Sequence, residues 1–155
     1  MYNFFMLHSI EEKLNDFIRI ARERGYKLTP QRLAVFRTLV LRNDHPRADD
    51  IYQQVKKKYP MISLATIYKT LEVLMDIGLV SELGYREEGC RYDGNVNLHA
   101  NLVCLKCKVI KDIDIDNLSK IESLVSARSG HTIIGSRVEF YGYCSECEGC
   151  EENIK

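Results

Sequence analysis

Through the first half of the chain, apolar positions recur at helical spacing. Leu14, Phe17, Ile18 and Ala21 share one face of a predicted helix. Ser9-Ile10-Glu11-Glu12 reads as a capping box that opens this helix, and Gly25 ends it. Thr29-Pro30 supplies an N-cap followed by proline at the first helical position. The helix so opened carries Leu33, Val35, Phe36, Leu39 and Val40 and is expected to end near Asn43. His45-Pro46 breaks the chain, and a third helix runs through Ala48–Lys58 with Ile51, Tyr52 and Val55 inward. Ser63 caps a fourth, Leu64 to Ile77, closed by Gly78. Two short β-like runs follow, Leu79–Leu83 and Cys90–Asp93, joined by a turn containing Gly84 and Gly89. Helices ending in a two-stranded hairpin predict a winged helix-turn-helix.

The second half reads differently. Asn97–Val103 and Val109–Ile115 are β-branched or alternating runs, and Asn117–Arg128 is helical, with Leu118, Ile121, Leu124 and Val125 in register. Gly130 ends that helix, and Ile133–Tyr143 returns as a strand. The fold class is therefore α+β. A winged-helix domain over residues 1–90 is followed by a small α/β domain over residues 91–155. So small a β-β-α-β module is expected to pair with a second copy through a sheet edge, because most homo-oligomers are two-fold.

Composition narrows the class. The 155 residues are 45% hydrophobic and 28% charged, and no apolar run approaches the ~18 residues a membrane span needs. Met1–Ile10 lacks the basic start and cleavage site of a signal peptide, so a cytoplasmic location is expected. The formal net charge of +0 conceals an asymmetry of +3 over residues 1–83 and −3 over residues 84–155. Two modules with different tasks fit that split.

The six cysteines carry the strongest chemical signal. Cys104-Leu105-Lys106-Cys107 and Cys144-Ser145-Glu146-Cys147 form two CxxC pairs separated by 36 residues. Each such turn converges two thiolates, and two turns supply the four sulfurs of a closed tetrahedral Zn(II) site, which serves structure rather than chemistry. A thioredoxin-type pair would open a helix after a strand, and neither pair does so. Cys150 extends the second pair to CxxCxxC and Cys90 stands alone; both read as spare thiols.

Two further groups of residues point outward. On the fourth helix, Leu64, Ile67, Leu71 and Leu74 form the core stripe, which leaves Ala65, Thr66, Tyr68, Lys69 and Glu72 on the outer face. Small, hydroxyl, aromatic and cationic side chains suit a helix seated in a DNA major groove. Near the module junction lie His45, Asp93, His99, Asn101 and Asp112, with His99 and Asn101 on the same side of one strand. Imidazole with carboxylate suits Fe(II), Mn(II) or Zn(II) in an open, exchangeable site.

These residues fall in stretches that resemble the ferric-uptake-regulator family of metal-dependent repressors over nearly the whole chain. The stretches are Leu28-Thr29-Pro30-Gln31-Arg32, His45 through Tyr52, Ile62 through Leu71, Arg91-Tyr92-Asp93, the two CxxC pairs, and Glu139-Phe140-Tyr141-Gly142. The resemblance implies a winged-helix DNA-binding domain, a dimerisation domain, a structural Zn(Cys)₄ on Cys104, Cys107, Cys144 and Cys147, and a regulatory Fe(II) or Mn(II). Its regulatory ligands carry over to His45, Asp93, His99 and Asp112, while the second histidine of the family's His-x-His pair falls on Asn101. DNA contacts would come from Arg32, Ser63, Ala65, Thr66, Tyr68 and Lys69. The histidine that many members carry before Glu-Phe-Tyr-Gly is Ser136 here. Asp112, where iron-type members tend to carry Glu, resembles the peroxide-sensing branch. His8 and His131 read as solvated, although His8 could fold back to replace the lost imidazole.

The expected function is thus a metal-dependent repressor that binds a palindromic operator as a homodimer, and releases it when Fe(II) and hydrogen peroxide oxidise His45 or His99. An iron, manganese or zinc uptake repressor that senses metal alone has the same architecture. An enzyme is not expected, because no acid/base pair accompanies an open zinc site, and a zinc-ribbon adaptor that binds protein rather than DNA would be excluded by operator binding in a footprint assay.

Overall fold

The computed structural model describes residues 2–83 and 89–148. It divides into two units, Met1–Val96 and Asn97–Lys155. The break falls after Val96 rather than after residue 90 because the second wing strand pairs back onto the first unit.

The first unit is built from α1 (Tyr2–Glu23), α2 (Pro30–Val40), α3 (Ala48–Lys58) and α4 (Leu64–Asp76), followed by the wing strands β1 (Ser81–Leu83) and β2 (Arg91–Asp93). Local chemistry accounts for most of these boundaries. Thr29 caps α2, its Oγ1 accepting from the Arg32 N–H at 3.3 Å, and Pro30 takes the first helical position. The Ser63 Oγ accepts from the Thr66 N–H at 3.2 Å and so starts α4. At the start of α3 the Asp50 carboxylate reaches back to the Arg47 N–H at 2.9 Å.

Two helix boundaries differ from the sequence expectation by more than one residue, and β1 begins at Ser81 rather than Leu79. α1 begins at Tyr2, so Ser9-Ile10-Glu11-Glu12 lies inside the helix and does not open it. No glycine or proline interrupts residues 2–9, and once a helix is nucleated each further residue adds its hydrogen bond cheaply. α2 stops at Val40, with Leu41 as its C-cap, short of Asn43.

The core of this unit follows the predicted stripes. Phe17 and Phe36 meet edge to face with centroids 5.2 Å apart, and Leu39, Ile51, Ile67, Leu71 and Leu74 are fully buried around them. The stripe of α4 is wider than expected: Thr70 is also fully buried, its hydroxyl donating to the Thr66 carbonyl at 2.7 Å. β1 and β2 pair antiparallel, Glu82 opposite Tyr92. The turn between them holds Gly89 at φ +83°, while Gly84 lies outside the described residues.

The second unit contains β3 (Ala100–Cys104), β4 (Ile110–Ile113), α5 (Leu118–Ser129) and β5 (Val138–Gly142). β3 is central, antiparallel to β4 and parallel to β5. Its apolar interior is thin: among the described residues, Ala100, Val103, Cys104, Ile110 and Leu118 are the buried hydrophobic ones. Of the stripe predicted on α5 only Leu118 is buried, and Ile121, Leu124 and Val125 stay about half exposed (54%, 51% and 47%). A unit of this size with so little interior needs a staple and a cover. Among the described residues of the whole chain no helix is long and apolar enough to cross a membrane.

Candidate metal centres and nucleic-acid-reading helix

The four CxxC sulfurs come together. Cys104 ends β3 and Cys144 follows β5, and the parallel register sets Cys104 opposite Gly142, two residues before Cys144. The Leu105 N–H donates to the Gly142 carbonyl at 2.8 Å, and the Cys144 N–H points at the Cys104 sulfur at 3.4 Å. Lys108, at φ +59°, turns the first CxxC back into β4. The Sγ atoms of Cys104, Cys107, Cys144 and Cys147 all lie within 4.8 Å of one another, and those of Cys107 and Cys144 are 3.7 Å apart. Backbone N–H groups, first that of Cys144, hold the Cys104 thiol down to about 6, whereas hydrogen bonding to Cys144, and then burial, push Cys147 up to about 12. Four sulfurs this close cannot all ionise without a cation among them, and a tetrahedral Zn(II) fits the donor set. Cys90 is half-buried and packs on the helical core; Cys150 lies outside the described residues.

A histidine–carboxylate pair stands in each unit. In the first, His45 Nε2 lies 3.9 Å from Asp93 Oδ2, with both residues buried (2% and 4% exposed). His45 precedes a proline yet adopts φ +49°, a left-handed conformation that a side chain rarely takes without support. The wing provides that support: the Arg91 guanidinium donates to the His45 carbonyl at 3.2 Å, and the Tyr92 N–H to the Pro46 carbonyl at 3.0 Å. Asp93, at the end of β2, accepts from the Asn95 N–H through Oδ1 at 2.7 Å, which turns Oδ2 toward His45.

In the second unit, His99 Nε2 lies 3.7 Å from Asp112 Oδ1. The other ring nitrogen of His99 is 2.7 Å from the Asn97 carbonyl. A carbonyl can only accept, so Nδ1 carries the proton and Nε2 presents its lone pair. Register sets Asn101 directly opposite Asp112, on the same face as His99. Asn101 is 4% exposed, and its Oδ1 is buried with no hydrogen-bond partner among the described residues. Separations of 3.7 and 3.9 Å are too long for hydrogen bonds but suit two donors each about 2.1 Å from one divalent ion. A buried amide oxygen without a proton to accept fits the same ion chemistry.

Of the remaining candidates, His131 is exposed, hydrogen-bonded to the Ser129 carbonyl at 2.9 Å and outside both donor groups; the side chain of His8 is outside the described residues. Ser136 donates to Glu122 at 2.6 Å. On α4, Ser63, Ala65, Tyr68, Lys69 and Glu72 are exposed and Thr66 is partly so, leaving the predicted outer face open. Ser63 is engaged as the cap, and the Arg32 guanidinium donates to the Lys27 carbonyl at 2.7 Å. Sequence reasoning missed two supports of the donor pairs. Arg91 was visible only as part of a matching stretch, and the Asn97 carbonyl, a backbone atom, leaves no trace in residue identity.

Comparison with known proteins accords with this arrangement. The sequence profile of the Ferric uptake regulator family matches residues 23–141. The peroxide-responsive repressor PerR of Staphylococcus epidermidis is 40% identical over 142 residues, 92% of this chain and 95% of that protein. Its counterpart in Staphylococcus aureus is 39% identical over 92% of this chain and 96% of its own. Among solved structures, the Campylobacter jejuni peroxide stress regulator superposes with a TM-score of 0.71 at 34% identity, over 84% of this chain and 98% of that one. The Helicobacter pylori ferric uptake regulator, at a TM-score of 0.75, 21% identity, and coverage of 92% and 96%, shares the fold. With a family profile that matches residues 23–141 and a relative 40% identical over 92% of its length, this chain belongs to the ferric uptake regulator family.

Proposed function

We propose that the chain is a metal-dependent transcriptional repressor, not an enzyme, that binds a palindromic operator as a homodimer and responds to hydrogen peroxide. The observation that carries this reading is the two histidine–carboxylate pairs, with His45, Asp93 and His99 buried, in a chain 40% identical to a peroxide-responsive repressor. Zn(II) belongs in the Cys₄ cluster, where it is structural. The regulatory ion, Fe(II) or Mn(II), is assigned to His45, Asp93, His99, Asn101 and Asp112, which offer imidazole and oxygen donors. An ion that binds the operator-competent state better also tightens the operator, and the operator tightens the ion by the same factor. Reduced thiols able to hold zinc fit a cytoplasmic protein.

A homodimer would cover the apolar surface left open on the second unit. Leu102 and Phe140 are neighbours across β3 and β5, and with Ile121, Leu124 and Val125 of α5 they are 37–54% exposed.

A bound Fe(II) would give peroxide the one electron that splits its O–O bond and take one back from the ring, so that one peroxide oxygen is added to a coordinated histidine and the other leaves as water, a redox step that Zn(II) cannot supply. Anaerobic Fe(II)-loaded protein on a labelled operator is expected to release it on adding peroxide, while Mn(II)-loaded protein stays bound. Mass spectrometry is expected to find one added oxygen, about 16 Da, on His45 or His99. Release by chelation alone, with no oxygen gained on either histidine, would leave a metal-only uptake repressor as the correct reading.

On the DNA side, Lys69 is assigned a phosphate through the open face of α4. Lys69→Ala is expected to weaken operator binding and to flatten the slope of log K against log salt by about 0.9. An unchanged slope in a fluorescence-anisotropy titration removes Lys69 from the phosphate contacts.

A further inference from the structure

The donor face of the second unit departs from a plain imidazole–carboxylate set, and the departure is at Asn101. Three side chains share a row across the sheet at this position: Asp112 on β4, Asn101 on β3 and Glu139 on β5. Their chemistry is divided. Glu139 is already engaged on its own strand, one carboxylate oxygen with the Arg137 guanidinium and the other accepting from the Tyr141 hydroxyl. Asp112 lies 3.7 Å from His99 Nε2. Between the two carboxylates, the Asn101 amide is 4% exposed and keeps its oxygen buried without a donor among the described residues. Burying an amide oxygen in that way is costly unless something positive meets it.

We propose that the Asn101 amide oxygen is a ligand that sets metal preference, hardening the regulatory site so that Mn(II) competes there with Fe(II), Co(II) and Zn(II). The proposal rests on the regulatory-site reading above and concerns which ion that site prefers. An amide and a neutral imidazole carry the same charge, so two aspartates balance a divalent cation in either case. Only donor softness differs. Nitrogen donors separate the divalent ions strongly along the order Mn(II), Fe(II), Co(II), with Zn(II) also well above Mn(II), whereas hard oxygen donors keep that order but separate the ions much less. Exchanging one nitrogen for one oxygen therefore narrows the gap, mainly by weakening the softer ions. Glu139, held by Arg137 and Tyr141, is not the source of the extra oxygen.

The test uses the full chain with its zinc cluster filled, the parent against Asn101→His and Asn101→Ala. Dissociation constants for Mn(II) and Co(II) come from competition with a fluorescent chelator, with zinc content and circular dichroism as checks on folding. Asn101→His is expected to tighten Co(II) by about tenfold or more and Mn(II) by much less, so the ratio of the two constants widens. Asn101→Ala is expected to weaken both ions, and Mn(II) electron-spin resonance is expected to change in both variants. A Co(II)/Mn(II) ratio within about twofold of the parent in Asn101→His overturns the proposal even if Asn101→Ala fails to fold. Should His99→Ala abolish Mn(II) binding while both Asn101 variants match the parent, the regulatory site stands and this inference alone fails. A parent that binds no divalent ion beyond its zinc removes the site and the inference together.

Discussion

Cys107→Ser is expected to leave the chain without zinc and to unfold the second unit while the helical unit keeps its structure. The Cys107 side chain is exposed, so a serine there sacrifices almost no packing, and any large loss must run through the ion. The second unit has little else to hold it. Among the described residues five hydrophobic ones are buried there, and the loops that close it, from Cys104 to Lys108 and from Gly142 to Cys147, are shaped around the sulfurs. Structural zinc sites in small peptides are worth on the order of 10–16 kcal/mol at neutral pH, comparable with the ~5–15 kcal/mol that stabilises a whole domain. Losing one of four thiolates is therefore expected to exceed the margin of this unit. Hydrogen exchange followed by mass spectrometry should find the amides of β3, β4 and β5 exchanging rapidly, with α2, α3 and α4 still protected. Cys90→Ser, on the helical core, should keep zinc and protection alike. Protected β-strands in a zinc-free Cys107→Ser protein would show that the sulfurs do not staple the sheet.

The second large effect is expected from His99→Ala, which should abolish the tightening of operator binding by Mn(II). His99 is oriented before any ion arrives, since the Asn97 carbonyl holds Nδ1–H and leaves Nε2 toward Asp112. Alanine removes both the donor and its aim. Coupling energies between effector and ligand usually amount to about 1–3 kcal/mol, so a parent protein tightened ~5–150-fold by the ion should fall to a ratio near one. Zinc content and the weak, salt-sensitive affinity of the metal-free protein should not change, because the Cys₄ cluster and α4 are untouched. Anisotropy titrations with and without Mn(II) supply the comparison. Equal Mn(II) stimulation in parent and variant would take His99 out of the regulatory site.

Much of this protein is written locally. Thr29-Pro30 and Ser63 start α2 and α4 because a hydroxyl three residues upstream of an N–H needs no distant partner. The core stripe of α4 follows from its period alone, since Ile67, Leu71 and Leu74 must share a face wherever the helix packs. Ser9-Ile10-Glu11-Glu12 shows where local reading fails. A capping sequence is permissive, and it opens a helix only if the residues before it do not continue one.

The donor atoms divide along the same line. The two CxxC pairs declared a closed sulfur site because two residues between cysteines confine both thiolates to one turn, whatever surrounds them. His45, Asp93, His99, Asn101 and Asp112 were legible only as residue types suited to an ion, with their roles carried by family resemblance. Tertiary structure decided the rest. Strand register placed Asn101 opposite Asp112 and Glu139, hydrogen bonds from the wing held His45 left-handed, and the thin second unit left α5 uncovered. Register, support and exposure depend on segments far apart in the chain, whose energies of pairing and packing no short window of residues contains.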